Sequence, residues 1–141
     1  MNDWLVDTNV MVKWVLSEPD SAQALKLVSD TASAGGKLLV LDLAIVEAAN
    51  VIWTRLHRKL LTFAEGKQAL ALLQKASVQI VPGLAALSNA FDIAARYDVA
   101  VYDALFVAMV KDLGVGGVTA DEPLVRVVGA AYPQIKLLRS W

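Results

Sequence analysis

The sequence predicts an α/β fold: one domain over residues 1–141, with a central, mostly parallel β-sheet flanked by helices on both faces. Three observations carry that expectation. Short β-prone runs alternate with longer helical stretches along the whole chain. The run Leu38–Leu41 reads as a fully buried strand. A chain of 141 residues suffices for one core, and no linker, repeat or low-complexity tract divides it.

Taken in order, Trp4-Leu5-Val6 is a β-prone run ending at Asp7. The helical stretch after it, about Val10 to Leu16, puts Asp7-Thr8-Asn9 at a strand-to-helix junction. Glu18-Pro19-Asp20-Ser21 interrupts, Asp20 or Ser21 is placed to cap a helix running to about Ala34, and Gly35-Gly36 stops it. After Leu38–Leu41, residues from about Leu43 to Arg58 form a helix, frequent in Ala and Leu and free of Gly and Pro. Thr62-Phe63-Ala64-Glu65 is a capping box that starts a helix ending near Ala76. Val78–Val81 is a strand closed by Pro82-Gly83, and a helix follows over about Leu84 to Tyr97. Val99-Ala100-Val101 leads into Asp103, placed to cap a helix Ala104–Leu113 that Gly114 ends. Val118-Thr119 is a strand, Asp121-Glu122-Pro123 opens a helix with proline in its first turn, and Ile135–Leu138 is the last strand. In such a fold functional residues gather at the carboxyl ends of the strands, where Asp7 and Asp121 both stand.

Composition narrows the chemistry. With no cysteine and one histidine, disulfides, thiolate metal sites, Cys/His nucleophile pairs and two-histidine acid–base mechanisms are excluded, so the work falls to carboxylates or hydroxyls. A net charge of −1 gives no overall attraction to a polyanion, and binding nucleic acid requires a local basic patch. The hydrophobic share of 57% and mean hydropathy of +0.51 imply apolar surface that meets a partner. A membrane span is not expected, since the longest apolar stretch, Leu38–Trp53, contains Asp42, Glu47 and Asn50. Nothing at the N-terminus directs secretion, so the cytoplasm is the expected location.

Four acids stand in core-like segments. Asp7 follows Leu5-Val6, Glu47 interrupts Leu43-Ala44-Ile45-Val46 and Ala48-Ala49, Asp103 divides Val99–Tyr102 from Ala104–Val107, and Asp121 ends the run Val115–Ala120. None has an Arg or Lys close in sequence as an obvious partner. Buried charges need a partner or a metal, and clustered carboxylates raise one another's pKa unless a cation compensates them. Oxygen-only ligands favour Mg²⁺ or Mn²⁺, which suit phosphodiester hydrolysis. Each acid alone could instead be a helix cap, a turn residue or half of a distant ion pair.

The pattern resembles the PIN-domain family, in particular the VapC-type toxins of bacterial toxin–antitoxin pairs, over essentially the whole chain. Val6-Asp7-Thr8-Asn9-Val10 is similar to the family's opening motif, and Glu47 with Asn50 and Val51 to its second acid. Tyr102-Asp103-Ala104-Leu105 with Ala108 matches the third motif, and Val118-Thr119-Ala120-Asp121 with Leu124 the fourth. The resemblance implies a Mg²⁺- or Mn²⁺-dependent endoribonuclease. Asp7 and Asp103 are then the principal metal ligands and Glu47 and Asp121 complete the site directly or through water. The Thr8 and Thr119 hydroxyls and the Asn9 amide would orient the carboxylates or the attacking water, or serve only as caps and turns. It also implies a homodimer held inactive by an antitoxin, for which Trp14, Trp53 and Phe63 are anchor candidates, each equally suited to the core.

At 100° per residue Glu47, Asn50, Thr54 and Arg58 form a polar stripe leading to Arg55-Leu56-His57-Arg58-Lys59. Arg55, Arg58 and Lys59 are therefore candidate RNA contacts, against the plainer reading of a solvated helix end. His57, without a partner, is not read as a catalytic base. Two other functions fit parts of the pattern. Asp7 could be the phosphoacceptor of a haloacid-dehalogenase-like phosphatase or a receiver domain, although Asn9 stands where the former expects a second Asp and Asp3 alone poorly matches the acids of the latter. The chain could also be a non-catalytic RNA- or protein-binding module of the same fold.

Overall fold

The computed structural model describes residues 2–141. Five strands, β1 (Trp4–Val6), β2 (Leu38–Leu41), β3 (Gln79–Val81), β4 (Gly116–Thr119) and β5 (Ile135–Leu137), form one sheet in the order β3-β2-β1-β4-β5. Every neighbouring pair is parallel, so the sheet is wholly rather than mostly parallel. Seven helices connect the strands in the expected β-α-α-β-α-α-β-α-α-β-α-β sequence: α1 (Thr8–Val15), α2 (Ser21–Ser33), α3 (Asp42–His57), α4 (Phe63–Gln74), α5 (Leu87–Tyr97), α6 (Val101–Leu113) and α7 (Glu122–Val128).

Side chains of successive strand residues point to opposite faces; Leu5 and Val6 are both fully buried, and all four residues of β2 are buried. Both faces of the sheet are therefore covered. On one side α1 packs against α2, α3 and α4; on the other α5 packs on α6, which contacts β1 and β4. Helix α6 is the centre of the core. Its residues Ala104 to Val110 are all buried, so that stretch is apolar all round, as a helical segment without a solvent face must be. Gly117 in β4 lets α6 approach, because a Cβ there would stand 2.6 Å from Val110 Cγ2.

The local signals act largely as expected. The Thr62/Glu65 capping box forms reciprocally, and Gly114 ends α6 at φ 65°. Three expectations need correction. Asp20 precedes α2 but makes no side-chain cap bond, because its own backbone lies in the left-handed region at φ 67°. Helix α6 begins at Val101, not Ala104, so Asp103 sits inside the first turn and does not cap it. Leu84–Ala86 form a separate 3₁₀ turn before α5. Among the described residues no helix is long and apolar enough to cross a membrane.

Candidate active site

Strand β1 is followed in space by β2 on one side and by β4 on the other, so chain connections leave β1 in opposite directions. The crevice at the carboxyl ends of β1 and β4 is the sheet's switch point. Register pairs Val6 with Val118 and places the next residues, Asp7 and Thr119, side by side. Asp7 caps α1, its Oδ1 accepting from the Thr8 backbone N–H at 2.8 Å.

Thr119 is the hub of the crevice. Its hydroxyl, fully buried, donates to Asp7 Oδ2 at 2.8 Å and accepts from the Asp121 backbone N–H at 3.1 Å. Asn9 Nδ2 donates to Thr119 Oγ1 at 3.2 Å and to Asp7 Oδ2 at 3.4 Å, while Asn9 Oδ1 accepts from the Ala120 N–H at 2.9 Å. Asp121 in turn caps α7 through the Leu124 N–H at 3.0 Å. Thr119 and Asn9 thus both donate hydrogen bonds to the Asp7 carboxylate. Thr8 donates to it through its backbone N–H, and its hydroxyl makes no hydrogen bond among the described residues.

The other two acids arrive on helices. Asp103 lies in the first turn of α6, where the helix dipole favours a negative charge, and Glu47 flanks the buried stripe Ala44-Ala48-Ile52 of α3. All four acids share one electrostatic neighbourhood. Burial pushes the Asp7 carboxyl up to about 6, against the Thr119 and Thr8 hydrogen bonds, and the charges of Asp103 and Glu47 push it the same way. Burial, then the charge of Asp103, raises Glu47; burial, then the charge of Asp121, raises Asp103.

Among the described residues none of the four acids is in an ion pair. Nor do three His, Asp or Glu side chains stand in a ready-made ligand arrangement. The donor set nonetheless fits a hard divalent cation, being all oxygen, mutually repulsive and uncompensated by any cationic side chain.

The remaining candidates separate. Arg55 is committed to an ion pair with Glu18, which also meets Lys13, whereas Arg58 and Lys59 are exposed beyond the end of α3. Trp14 is half-buried and packs against the core, its indole N–H donating to the Ala24 carbonyl at 2.9 Å. Trp53 and Phe63 are exposed and line an apolar groove between α3 and α4. Sequence reasoning missed a further apolar stripe, Leu84, Leu87 and Phe91, whose spacing of three and four along the turn and α5 was the available signal.

The chain is 31% identical over 122 residues to Ribonuclease VapC3 of Pyrobaculum aerophilum, covering 85% of this chain and 90% of that protein. A crystal structure of another protein of Pyrobaculum aerophilum superposes with a TM-score of 0.72 at 19% identity, over 98% of this chain and 92% of its own. The VapBC2 complex of Rickettsia felis, bound to a DNA fragment from its promoter, contains a chain that superposes with a TM-score of 0.67 at 12% identity, over 96% of each. These two likenesses concern the fold. The family model described as the PIN domain matches residues 4–130, and with this fold, these motifs and this relative the chain belongs to the PIN-domain family.

Proposed function

We propose that this chain is a metal-dependent endoribonuclease and the toxin of a toxin–antitoxin pair, with Asp7, Glu47, Asp103 and Asp121 as its catalytic carboxylates. The observation that carries the reading is four coupled acids without cationic partners among the described residues, gathered at the switch point of a PIN-domain sheet. Its relative VapC3 is named a ribonuclease, which supports the same chemistry here.

In this reading Asp7 and Asp103 hold Mg²⁺ or Mn²⁺, with Glu47 and Asp121 completing the site directly or through water. Bound there, such a cation would lower the pKa of a coordinated water and offset charge on the phosphoryl group. The protein supplies position. Thr119 and the Thr8 N–H fix both oxygens of Asp7, and Asn9 braces Thr119 and the Ala120 backbone, so the carboxylate is oriented before any ligand arrives. Burial keeps Asp7 easily protonated when bare, and a cation restores its charge.

The exposed Arg58 and Lys59 lie on the C-terminal side of α3, about 16 Å along the axis from Glu47, within reach of an RNA backbone that crosses the acids. Arg55, held by Glu18, serves the fold instead. The groove at Trp53 and Phe63 and the Leu84/Leu87/Phe91 stripe support two protein partners, an antitoxin and a second copy of the chain. RNA as substrate places the activity in the cytoplasm. Family membership leaves phosphoacceptor chemistry at Asp7 without support.

The test is cleavage of total cellular RNA by purified, partner-free protein with Mg²⁺ or Mn²⁺, beside EDTA and the Asp7→Asn and Asp103→Asn variants. Metal-dependent cutting that both substitutions abolish is the expected result. If nothing is cut, or the variants cut equally well, the reading fails and a non-catalytic binding module takes its place.

A further inference from the structure

We propose that the cleft beside Glu47 seats an unpaired nucleobase of the substrate, stacked on Tyr102, a proposal that rests on the ribonuclease reading above. Tyr102 immediately precedes Asp103 in the first turn of α6, yet its ring is 66% exposed and its hydroxyl makes no hydrogen bond among the described residues. Most of a large aromatic side chain is thus left open to solvent in a cleft that it shares with Glu47.

The cleft measures about 430 Å³, within the range of small-ligand sites. Tyr102, Leu43 and Val46 give it an apolar wall, all three exposed; Thr8, Glu47 and Asn50 supply polar groups. Thr8 and Glu47 belong to the carboxylate crevice as well, so a base seated here places its own phosphate beside the acids. The Asn50 amide and the Thr8 hydroxyl make no side-chain hydrogen bonds among the described residues and are available to a base edge.

Electrostatics favours a base over a phosphate as the group that is gripped. No Lys or Arg lines the cleft, and the surrounding acids repel phosphate. Affinity must come from contacts that carry no charge, and stacking on an aromatic face does this for any base. A base inside a duplex is already stacked and paired, so the substrate is a single strand or loop.

Steady-state cleavage of single-stranded oligoribonucleotides spanning a cleavage site found in total RNA, in Mg²⁺, tests the proposal with wild type, Tyr102→Phe and Tyr102→Ala. Light scattering on each protein runs alongside. Tyr102→Phe keeps the wild-type KM. Tyr102→Ala raises KM about 5- to 150-fold, the equivalent of one lost base stack, by the same factor at about 50 and about 200 mM salt because no counterion is involved. An unchanged KM in Tyr102→Ala, an equal loss in Tyr102→Phe, or a loss that vanishes with salt overturns the base seat. A change of oligomeric state in Tyr102→Ala overturns it too and makes Tyr102 a contact between protein chains. These outcomes leave wild-type cleavage intact; if wild type cleaves no RNA, the ribonuclease reading falls and the base seat with it.

Discussion

Replacing Thr119 by Val deletes one hydroxyl with little change of volume and removes the hub of the crevice. Asp7 Oδ2 loses its 2.8 Å donor, and the Asp121 and Asn9 N–H groups lose an acceptor at 3.1 and 3.2 Å. A hydrogen bond to an ionised group contributes about 1.5–3 kcal/mol and a neutral one about 0.5–1.5 kcal/mol, and a buried donor left unpaired adds its desolvation cost. The expected destabilisation is about 3 kcal/mol by urea unfolding in EDTA near pH 7.5, where Asp7 is ionised, shrinking to about half near pH 5, where it is protonated. The same hydroxyl lowers the Asp7 pKa, so its loss moves that pKa above about 6. The pH midpoint of Mn²⁺ binding, followed by calorimetry, should rise accordingly, because the metal competes with the proton. Thr119→Ser keeps the hydroxyl and should restore both quantities. Equal stability of Thr119→Val and wild type, or an unmoved midpoint, would refute the orienting role.

Other consequences are open to measurement. Because the folded pKa of Asp7 is raised from 3.8 to about 6, its contribution to stability is fully present below 3.8 and is lost as pH rises through 6. In EDTA, wild type should therefore lose on the order of 3 kcal/mol relative to Asp7→Asn between about pH 4 and pH 7.5, and a pH-independent difference would count against a buried, uncompensated carboxylate. Gly117→Ala sets a methyl against Val110 and Phe106 and should cost about 1–3 kcal/mol in stability while the folded fraction keeps its activity. Arg55→Ala should lower stability by about 1 kcal/mol through Glu18 without altering the salt dependence of RNA binding, whereas Arg58→Ala with Lys59→Ala should flatten that dependence; the reverse pattern would restore Arg55 as an RNA contact.

Much of the candidate site was legible in the chain because the four acids interrupt runs that only a core explains. Asp7 and Asp121 also sit at strand-to-helix junctions, which local patterning locates well. What stayed hidden depends on register. That Thr119 ties Asp7 to the Asp121 backbone follows from β1 pairing with β4 across more than a hundred residues, which no local signal encodes. The start of α6 was misplaced for a related reason. Ala100 offers no side-chain cap, and burial of Ala104 to Val110 stabilises the helix enough to draw Val101 and Tyr102 into its first turn. The sequence leaves Trp14 equally suited to an interface and to the core, and puts Arg55 at a solvated or RNA-facing helix end, because their partners, the Ala24 carbonyl and Glu18, lie on other elements. The apolar excess was visible as composition, but its division between the Trp53/Phe63 groove, the α5 stripe and the Tyr102 wall required the fold.

The measurement that tests the central claim most directly is anomalous diffraction from crystals of the partner-free protein soaked in Mn²⁺. The account predicts manganese in the crevice with ligands from Asp7 and Asp103, lost in Asp7→Asn. Manganese bound elsewhere while the four carboxylates remain bare, or an unchanged signal in the variant, would contradict it.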